Sequence, residues 1–352
     1  MLRVGVNGYG TIGKRVADAI HAQPDMTVSG VAKRSLCHAA LSATQRGYDL
    51  YAADADAESG FQGADIPIKG TVNDLIDVSD IIVDATPSGV GEANVRSYRE
   101  CGIPAILQGG ESADSAESSF NARANFSEAE GAGIVRVVSC NTTGLSRVLA
   151  PLDELVPIER VRATLIRRGG DPAQSDRGPI DDILPDPLSL PSHHAADVGT
   201  VLPSVTIDTM AVRVPTTRMH VHALNITFDS TAPSPTDVHE LFDRESRIGL
   251  VPEAFAADGV GALTEFGHDL GRPRGDLWEN CVWLESMATD ARELFLFQAI
   301  DQQCNVVPEN IDAIRAMVGM ADQATSMNRT DTHLGIGFPI KARVSRPTAK
   351  VG

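Results

Sequence analysis

The chain is short of most features that would stabilise it or locate it by special means. Its five cysteines, Cys37, Cys101, Cys140, Cys281 and Cys304, are scattered, without a C-x-x-C pair or a zinc-like spacing. That pattern excludes a disulfide framework and leaves reduced thiols with no metal site as the expectation. No stretch approaches the roughly 20 apolar residues of a membrane span, and Met1-Leu2-Arg3-Val4 runs into a strand pattern instead of a signal peptide, so a cytoplasmic location is expected. Internal repeats and low-complexity segments are absent as well. Positive charge is scarce: lysine is confined to Lys14, Lys33, Lys69, Lys341 and Lys350, against 47 Asp and Glu, and the net charge is −17. Such a field repels nucleic acid and anionic membrane, so neither is an expected partner, and an anionic substrate would need a local cationic pocket.

What is present fits a globular protein. With 352 residues, 42% of them hydrophobic, the chain is too long for one ordinary core, so two domains are expected. Strand patterns at Leu2–Val6, Thr27–Ala32, Asp80–Ala85, Pro104–Leu107 and Ile134–Val138 alternate with helical ones at Thr11–Ile20, Ser35–Ala43, Gly89–Glu100 and Phe120–Glu130. Alternation of this kind predicts an α/β fold with a doubly wound parallel sheet. After Thr143 longer strand patterns appear at Arg160–Arg167, Val205–Val214, Arg218–Phe228, Cys281–Met287 and Leu294–Ile300, predicting an α+β second domain with a mostly antiparallel sheet. Between them Gly169–Pro203, rich in Gly, Pro, Asp and Ser, reads as a functional loop. The expected division is a dinucleotide-binding domain over 1–139, completed by a C-terminal helical segment over 303–352, and a catalytic domain over 140–302.

Gly8-Tyr9-Gly10-Thr11-Ile12-Gly13 gives G-x-G-x-x-G between a strand and a helix. Glycines there allow the tight turn, the approach of backbone to pyrophosphate and the packing of helix on strand. About 20 residues further on, a chain selecting NAD would carry an acidic residue for the ribose 2′-OH; this one has Lys33-Arg34, which favours NADP while leaving NAD possible. Thr86 and the Gln108-Gly109-Gly110 run fall at carboxyl ends of the sheet, where such a cofactor lies.

Ser139-Cys140-Asn141 follows a buried-strand pattern and opens a helical one. A thiol at a helix start meets unpaired N–H groups and the positive end of the dipole, which favour a thiolate nucleophile; the alternative is a small buried thiol. In Met219-His220-Val221-His222, on a strand, both histidines point to one face, and only one need reach the cysteine as its base. Arg167-Arg168 could clamp phosphate or pair with Asp171, Asp176 or Asp181. The adjacent His193-His194 lack the further ligands that a metal requires.

Taken with Asn7-Gly8-Tyr9-Gly10-Thr11-Ile12-Gly13-Lys14-Arg15, Gly47-Tyr48-Asp49-Leu50-Tyr51, Asp171-Pro172-Ala173-Gln174, Leu190-Pro191-Ser192-His193-His194, Val214-Pro215-Thr216-Thr217 and Val307-Pro308-Glu309-Asn310, these segments resemble the archaeal class of phosphorylating glyceraldehyde-3-phosphate dehydrogenase. The resemblance implies that Cys140 is the nucleophile and His220 the base, with Ser139, Asn141, Arg167, His193 and His194 at the substrate and its phosphate. It implies dinucleotide contacts from Thr11, Ile12, Gly110, Arg168 and Gln302. Glyceraldehyde 3-phosphate and inorganic phosphate are the partners implied, and a homotetramer the assembly. The acid-rich, lysine-poor balance is that expected in a high-salt cytoplasm. Two rival readings keep the architecture: a semialdehyde dehydrogenase or acyl-phosphate reductase of amino-acid synthesis, and a non-catalytic dinucleotide sensor.

Overall fold

The structure, a computed structural model, describes residues 1–108, 110–170, 178–179 and 181–339. Gly109, the Asp171-Pro172-Ala173-Gln174 run, Asp176 and the tail from residue 340 onwards lie outside the described residues. The chain divides into two compact units. The first holds Met1–Ala150, His193–Ser204 and Gln302–Gly335; the second holds Pro151–Ser192, Val205–Asp301 and the segment that begins at Ile336.

In the first unit the alternating pattern becomes β1 (Leu2–Asn7), α1 (Thr11–His21), β2 (Met26–Lys33), α2 (His38–Gln45), β3 (Leu50–Ala52), α3 (Ala55–Gly63), β4 (Gly70–Thr71), α4 (Val72–Asp77), β5 (Ile81–Asp84), α5 (Val90–Cys101), β6 (Ala105–Leu107), β7 (Ser118–Phe120), β8 (Ile134–Val137) and α6 (Cys140–Leu155). The strands form one parallel sheet in the order β4-β3-β2-β1-β5-β6-β8-β7. Crossovers leave β1 in opposite directions, so the carboxyl ends of β1 and β5 bound the crevice where ligands of such sheets bind. β5 is buried along its whole length, as a sheet covered on both faces requires. Its residue Ile82 packs with Ala32, Leu75, Tyr98 and Leu107. The elements β3, α3, β4, α4 and β7 were not expected from the sequence, the expected strand Cys281–Met287 runs only to Trp283 before a 3₁₀ turn at Leu284–Ser286, and Phe120–Glu130 is no α-helix. Phe120 ends β7 and only Phe126–Ala129 makes a 3₁₀ turn, because Asn125 folds back to pair with Asn121 and Ser119 instead of continuing a helical ladder.

Helix Val307–Met317 is buried throughout and belongs to this unit. It is fastened by the buried pair of Arg147 on α6 with Glu309, Nη2 to Oε1 at 2.7 Å, while Glu309 Oε2 accepts the N–H of Ala122 at 2.7 Å. Arg315 likewise gives Nη2 to Gln23 at 2.7 Å and to Asp25 at 2.9 Å. Removing one partner of so buried a pair costs about 3–5 kcal/mol, because the other charge is left buried and unpaired.

The second unit carries β9 (Ile158–Arg168), β10 (Leu184–Pro185), β11 (Ile207–Val214), β12 (His220–Phe228), β13 (Ile248–Val251), β14 (Asn280–Trp283), β15 (Ala288–Asp290) and β16 (Glu293–Ile300). They form a mixed, mostly antiparallel sheet in the order β10-β11-β9-β12-β16-β14-β13, with β15 on β16; only β9 with β11 and β13 with β14 run parallel. β12 alternates buried and half-buried residues, the signature of a sheet with one covered face. A core of Met219, Val251, Leu263, Leu277, Cys281 and Ala299 lies within this unit. The Gly169–Pro203 stretch includes β10 and a short helix, His194–Gly199, and that helix groups with the first unit.

Candidate active site

The glycine turn after β1 has the form a dinucleotide needs. Gly8 stands at φ +103°, and a Cβ there would come within 2.6 Å of the Ala85 backbone; on Gly13 it would come 2.0 Å from the Gly8 carbonyl oxygen. Those two glycines are required by packing. Gly10, which precedes α1, is different: a Cβ would meet nothing within 4 Å, and no side chain caps the helix. The space over Gly10 and the uncapped helix start suit a pyrophosphate, with Thr11 and Ile12 half-buried in the first turn. Across the crevice, buried Asp84 ends β5 and accepts from Thr86 N–H at 3.0 Å, Asn94 Nδ2 at 2.8 Å and Tyr98 OH at 2.6 Å, fixing the Thr86 turn. The start of α5, by contrast, is filled from within by Glu111, whose carboxylate takes the Gly89 and Gly91 N–H groups. Gly110, at φ +83°, accepts a hydrogen bond from Ser88 Oγ at 3.3 Å.

At the end of β2, Arg34 pairs with Asp54 at 3.0 Å, with Asp54 also capping α3 through Ala57 N–H at 2.8 Å. Arg34, Leu36, Asp54, Asp56, Ala57 and Gly60 line a cavity of about 350 Å³. Lys33 is half-buried beside it and makes no ion pair among the described residues. Of Gln302 and Gln303, the second has its carbonyl engaged by Arg15 Nη2 at 2.9 Å; Gln302 is buried.

Cys140 is the first residue of α6 and half-buried, whereas Cys281 and Cys304 are fully enclosed. Burial, reinforced by Glu279, pushes the Cys281 thiol well above its usual range, so it is inert. Ser139 accepts the Thr142 N–H at 3.3 Å on Oγ and the Thr143 N–H at 2.8 Å on its carbonyl, and Cys140 O accepts Asn305 Nδ2 at 2.9 Å. Asn141 is buried. His193 is exposed and His194 buried, their rings 4.0 Å apart, so the pair presents two different environments.

In the second unit the register sets Arg213 opposite Arg167 on neighbouring strands. Both guanidinium groups converge on Asp186, at 3.5 Å and 2.6 Å. Arg167 is thus paired to an aspartate that the sequence reading did not single out, and Arg213 was missed altogether. Only the register of β11 on β9 could have revealed it. His220 Nδ1 accepts the Arg168 N–H at 3.0 Å. His222 is wholly buried, its Nδ1 3.1 Å from Gln298 Nε2, and burial followed by the Arg167 charge pushes its pKa down to about 3. It stays neutral at physiological pH. The sequence reading also missed Arg136, Thr142 and Asp197, which surround the Cys140 turn.

A dinucleotide-type glycine turn on a parallel sheet, a half-exposed thiol opening a helix and a second unit built on a mixed sheet define a two-domain nucleotide-binding α/β oxidoreductase. Residues 139–260 match the family model described as glyceraldehyde 3-phosphate dehydrogenase, C-terminal domain, and residues 2–110 that described as dihydrodipicolinate reductase, N-terminus. A glyceraldehyde-3-phosphate dehydrogenase of Haloarcula marismortui is 57% identical over 338 residues, 96% of this chain and 95% of that protein. One of Halobacterium salinarum is 57% identical over 336 residues, 96% of this chain and all of that protein, and one of Methanosarcina mazei 45% over 335 residues, 95% and 99%. The chain belongs to the glyceraldehyde-3-phosphate dehydrogenase family. No helix among its described residues is long and apolar enough to cross a membrane.

Proposed function

We propose that the protein is a phosphorylating, NADP-preferring glyceraldehyde-3-phosphate dehydrogenase, active in both directions of glycolytic carbon flow, with Cys140 as nucleophile and His220 as its partner. The observation that carries this reading is a half-exposed thiol at the start of α6 in a chain that aligns over nearly its full length with dehydrogenases of that name. The Cys140 thiolate adds to the aldehyde carbon of glyceraldehyde 3-phosphate, and the carbonyl oxygen becomes an alkoxide. The bound dinucleotide supplies the hydride acceptor. A thioester on Cys140 remains, and inorganic phosphate attacks it, releasing 1,3-bisphosphoglycerate and the thiolate.

His220 has the base role by resemblance, but its geometry supports another. With Nδ1 accepting from Arg168, the neutral ring carries its hydrogen on Nε2 and can donate it to the alkoxide. Thiolate addition already yields that alkoxide, so no proton need be removed for hydride to leave. In this reading Ser139, Asn141, His193 and His194 serve the substrate, and Arg167 its phosphate: with Arg213 it sets two positive charges against the one carboxylate of Asp186, a net positive charge in an acidic protein. Gly8, Gly10, Thr11, Ile12, Gly13, Thr86, Gly110, Arg168 and Gln302 serve the dinucleotide, and Lys33 its 2′-phosphate.

A homotetramer belongs to the same reading. Met210 and Phe297, about half exposed, share one face of the second sheet with Phe295, an apolar strip suited to a second copy. The charged substrates do not cross bilayers unaided, which favours the cytoplasm. Intact-protein mass spectrometry tests the core of the proposal: substrate and NADP without phosphate should leave the 3-phosphoglyceroyl adduct on Cys140, and its absence would contradict the mechanism.

A further inference from the structure

Arg136, near the end of β8, is buried and uses every hydrogen of its guanidinium. Nε and Nη2 donate to Ser119 Oγ at 3.1 and 2.7 Å, Nη2 to Thr200 Oγ1 at 3.1 Å, and Nη1 to the Glu111 carbonyl at 3.3 Å and Asp197 Oδ1 at 2.7 Å. The other oxygen of Asp197 accepts the Thr142 hydroxyl, and Thr142 Oγ1 lies 3.0 Å from Ser139 Oγ. Burial pushes the Asp197 carboxyl up, yet the Arg136 charge and the Thr142 and Ser139 hydroxyls outweigh it and keep it below its usual range. An ionised carboxylate only accepts, so the single hydroxyl hydrogen of Thr142 is given to Asp197. Ser139 then has only acceptors on that side, Thr142 Oγ1 and the Asp197 carboxylate, and its hydroxyl hydrogen is turned towards them. The result is a one-way chain from Ser139 through Thr142 to Asp197, spanning the turn that carries Cys140 and Asn141. Asp197 also donates its N–H to the His193 carbonyl at 3.1 Å.

We propose that Asp197 is a positioning residue for this reaction: paired with Arg136, it sets the direction of the Ser139–Thr142 chain and so holds the thiol-bearing turn and the His193-His194 backbone in one arrangement. The proposal rests on the reading of Cys140 as nucleophile. It also turns the Ser139 hydroxyl hydrogen inward, towards Thr142 and Asp197, so Ser139 serves the substrate through the turn it belongs to.

The test compares D197N, D197E, T142V and T142S in the full-length enzyme. It reads kcat, KM for glyceraldehyde 3-phosphate, thermal midpoint and the pH profile of Cys140 alkylation by iodoacetamide. In D197N the amide can donate, Arg136 loses its counter-charge and the chain can reverse. We expect kcat/KM to fall about tenfold or more, KM to rise and the alkylation profile to move. D197E, which keeps the charge, should restore the profile. T142V leaves the ion pair intact and so reports on the chain even if D197N does not fold; it should lose kcat, with T142S restoring it. Variants folded and within about twofold of wild type, with unmoved alkylation profiles, would reduce the network to a structural role and overturn the proposal. The alkylation arm needs no turnover, so a failure of the functional reading would show separately, as wild-type enzyme without phosphate-dependent activity.

Discussion

The Nδ1 atom of His220 accepts the backbone hydrogen of Arg168 across the β9–β12 pair, at 3.0 Å. With Nδ1 accepting, the neutral imidazole carries its own hydrogen on Nε2. A group in that state is a donor. H220Q, whose amide nitrogen reaches close to the Nε2 position, should therefore keep single-turnover NADPH formation within about tenfold of wild type, whereas H220A should lose about a hundredfold. Equal losses in the two variants would favour a base over a donor.

Coenzyme choice should depend on Lys33 more than on its neighbour, since Arg34 is paired with Asp54 while Lys33 makes no ion pair among the described residues. K33D is expected to raise KM for NADP far more than KM for NAD in steady-state assays. Equal changes would remove the basis for the NADP preference.

Acid should weaken the fold in two overlapping steps. The folded pKa of His222 is lowered from 6.5 to about 3 by burial, so the unfolded chain binds the extra proton first. Its contribution is complete above about pH 6.5 and is lost as pH falls towards 3. Asp25 opposes burial through Arg315 and Arg329, which bring its carboxyl from 3.8 to about 2; that contribution is lost between those values as pH falls. Urea unfolding at pH 7, 6 and 5 should show declining stability in wild type and a shallower decline in H222N. Identical slopes would mean that His222 is not buried neutral.

Salt should act the other way. The net charge of −17 repels itself in dilute buffer, and ions screen that repulsion within about 3 Å at 1 M. Thermal midpoint and activity are expected to rise with KCl into the molar range, as suits a chain 57% identical to dehydrogenases of halophilic archaea. An optimum in dilute buffer would contradict this.

The parallel sheet was legible because its strands are short apolar runs separated by helix-period segments, and because the glycines of the first turn answer to local sterics. The setting of Cys140, between a buried strand and the start of a helix, was legible as well. What escaped was set by tertiary pairing. Arg213 gains meaning only from its register against Arg167, and Asp197 from a helix that a loop-like composition concealed. The Phe120–Glu130 stretch has apolar spacing that fits a helix, yet Asn121 and Asn125 bond to nearby backbone and break the ladder.

The central claim, that Cys140 holds the acyl group which phosphate then releases, is tested most directly by one assay. NADPH formation from glyceraldehyde 3-phosphate is followed with and without phosphate or arsenate, for wild type and for C140S. Wild type should turn over only when phosphate or arsenate is present, and C140S not at all. Turnover that is indifferent to phosphate, or that survives the substitution, would contradict the account.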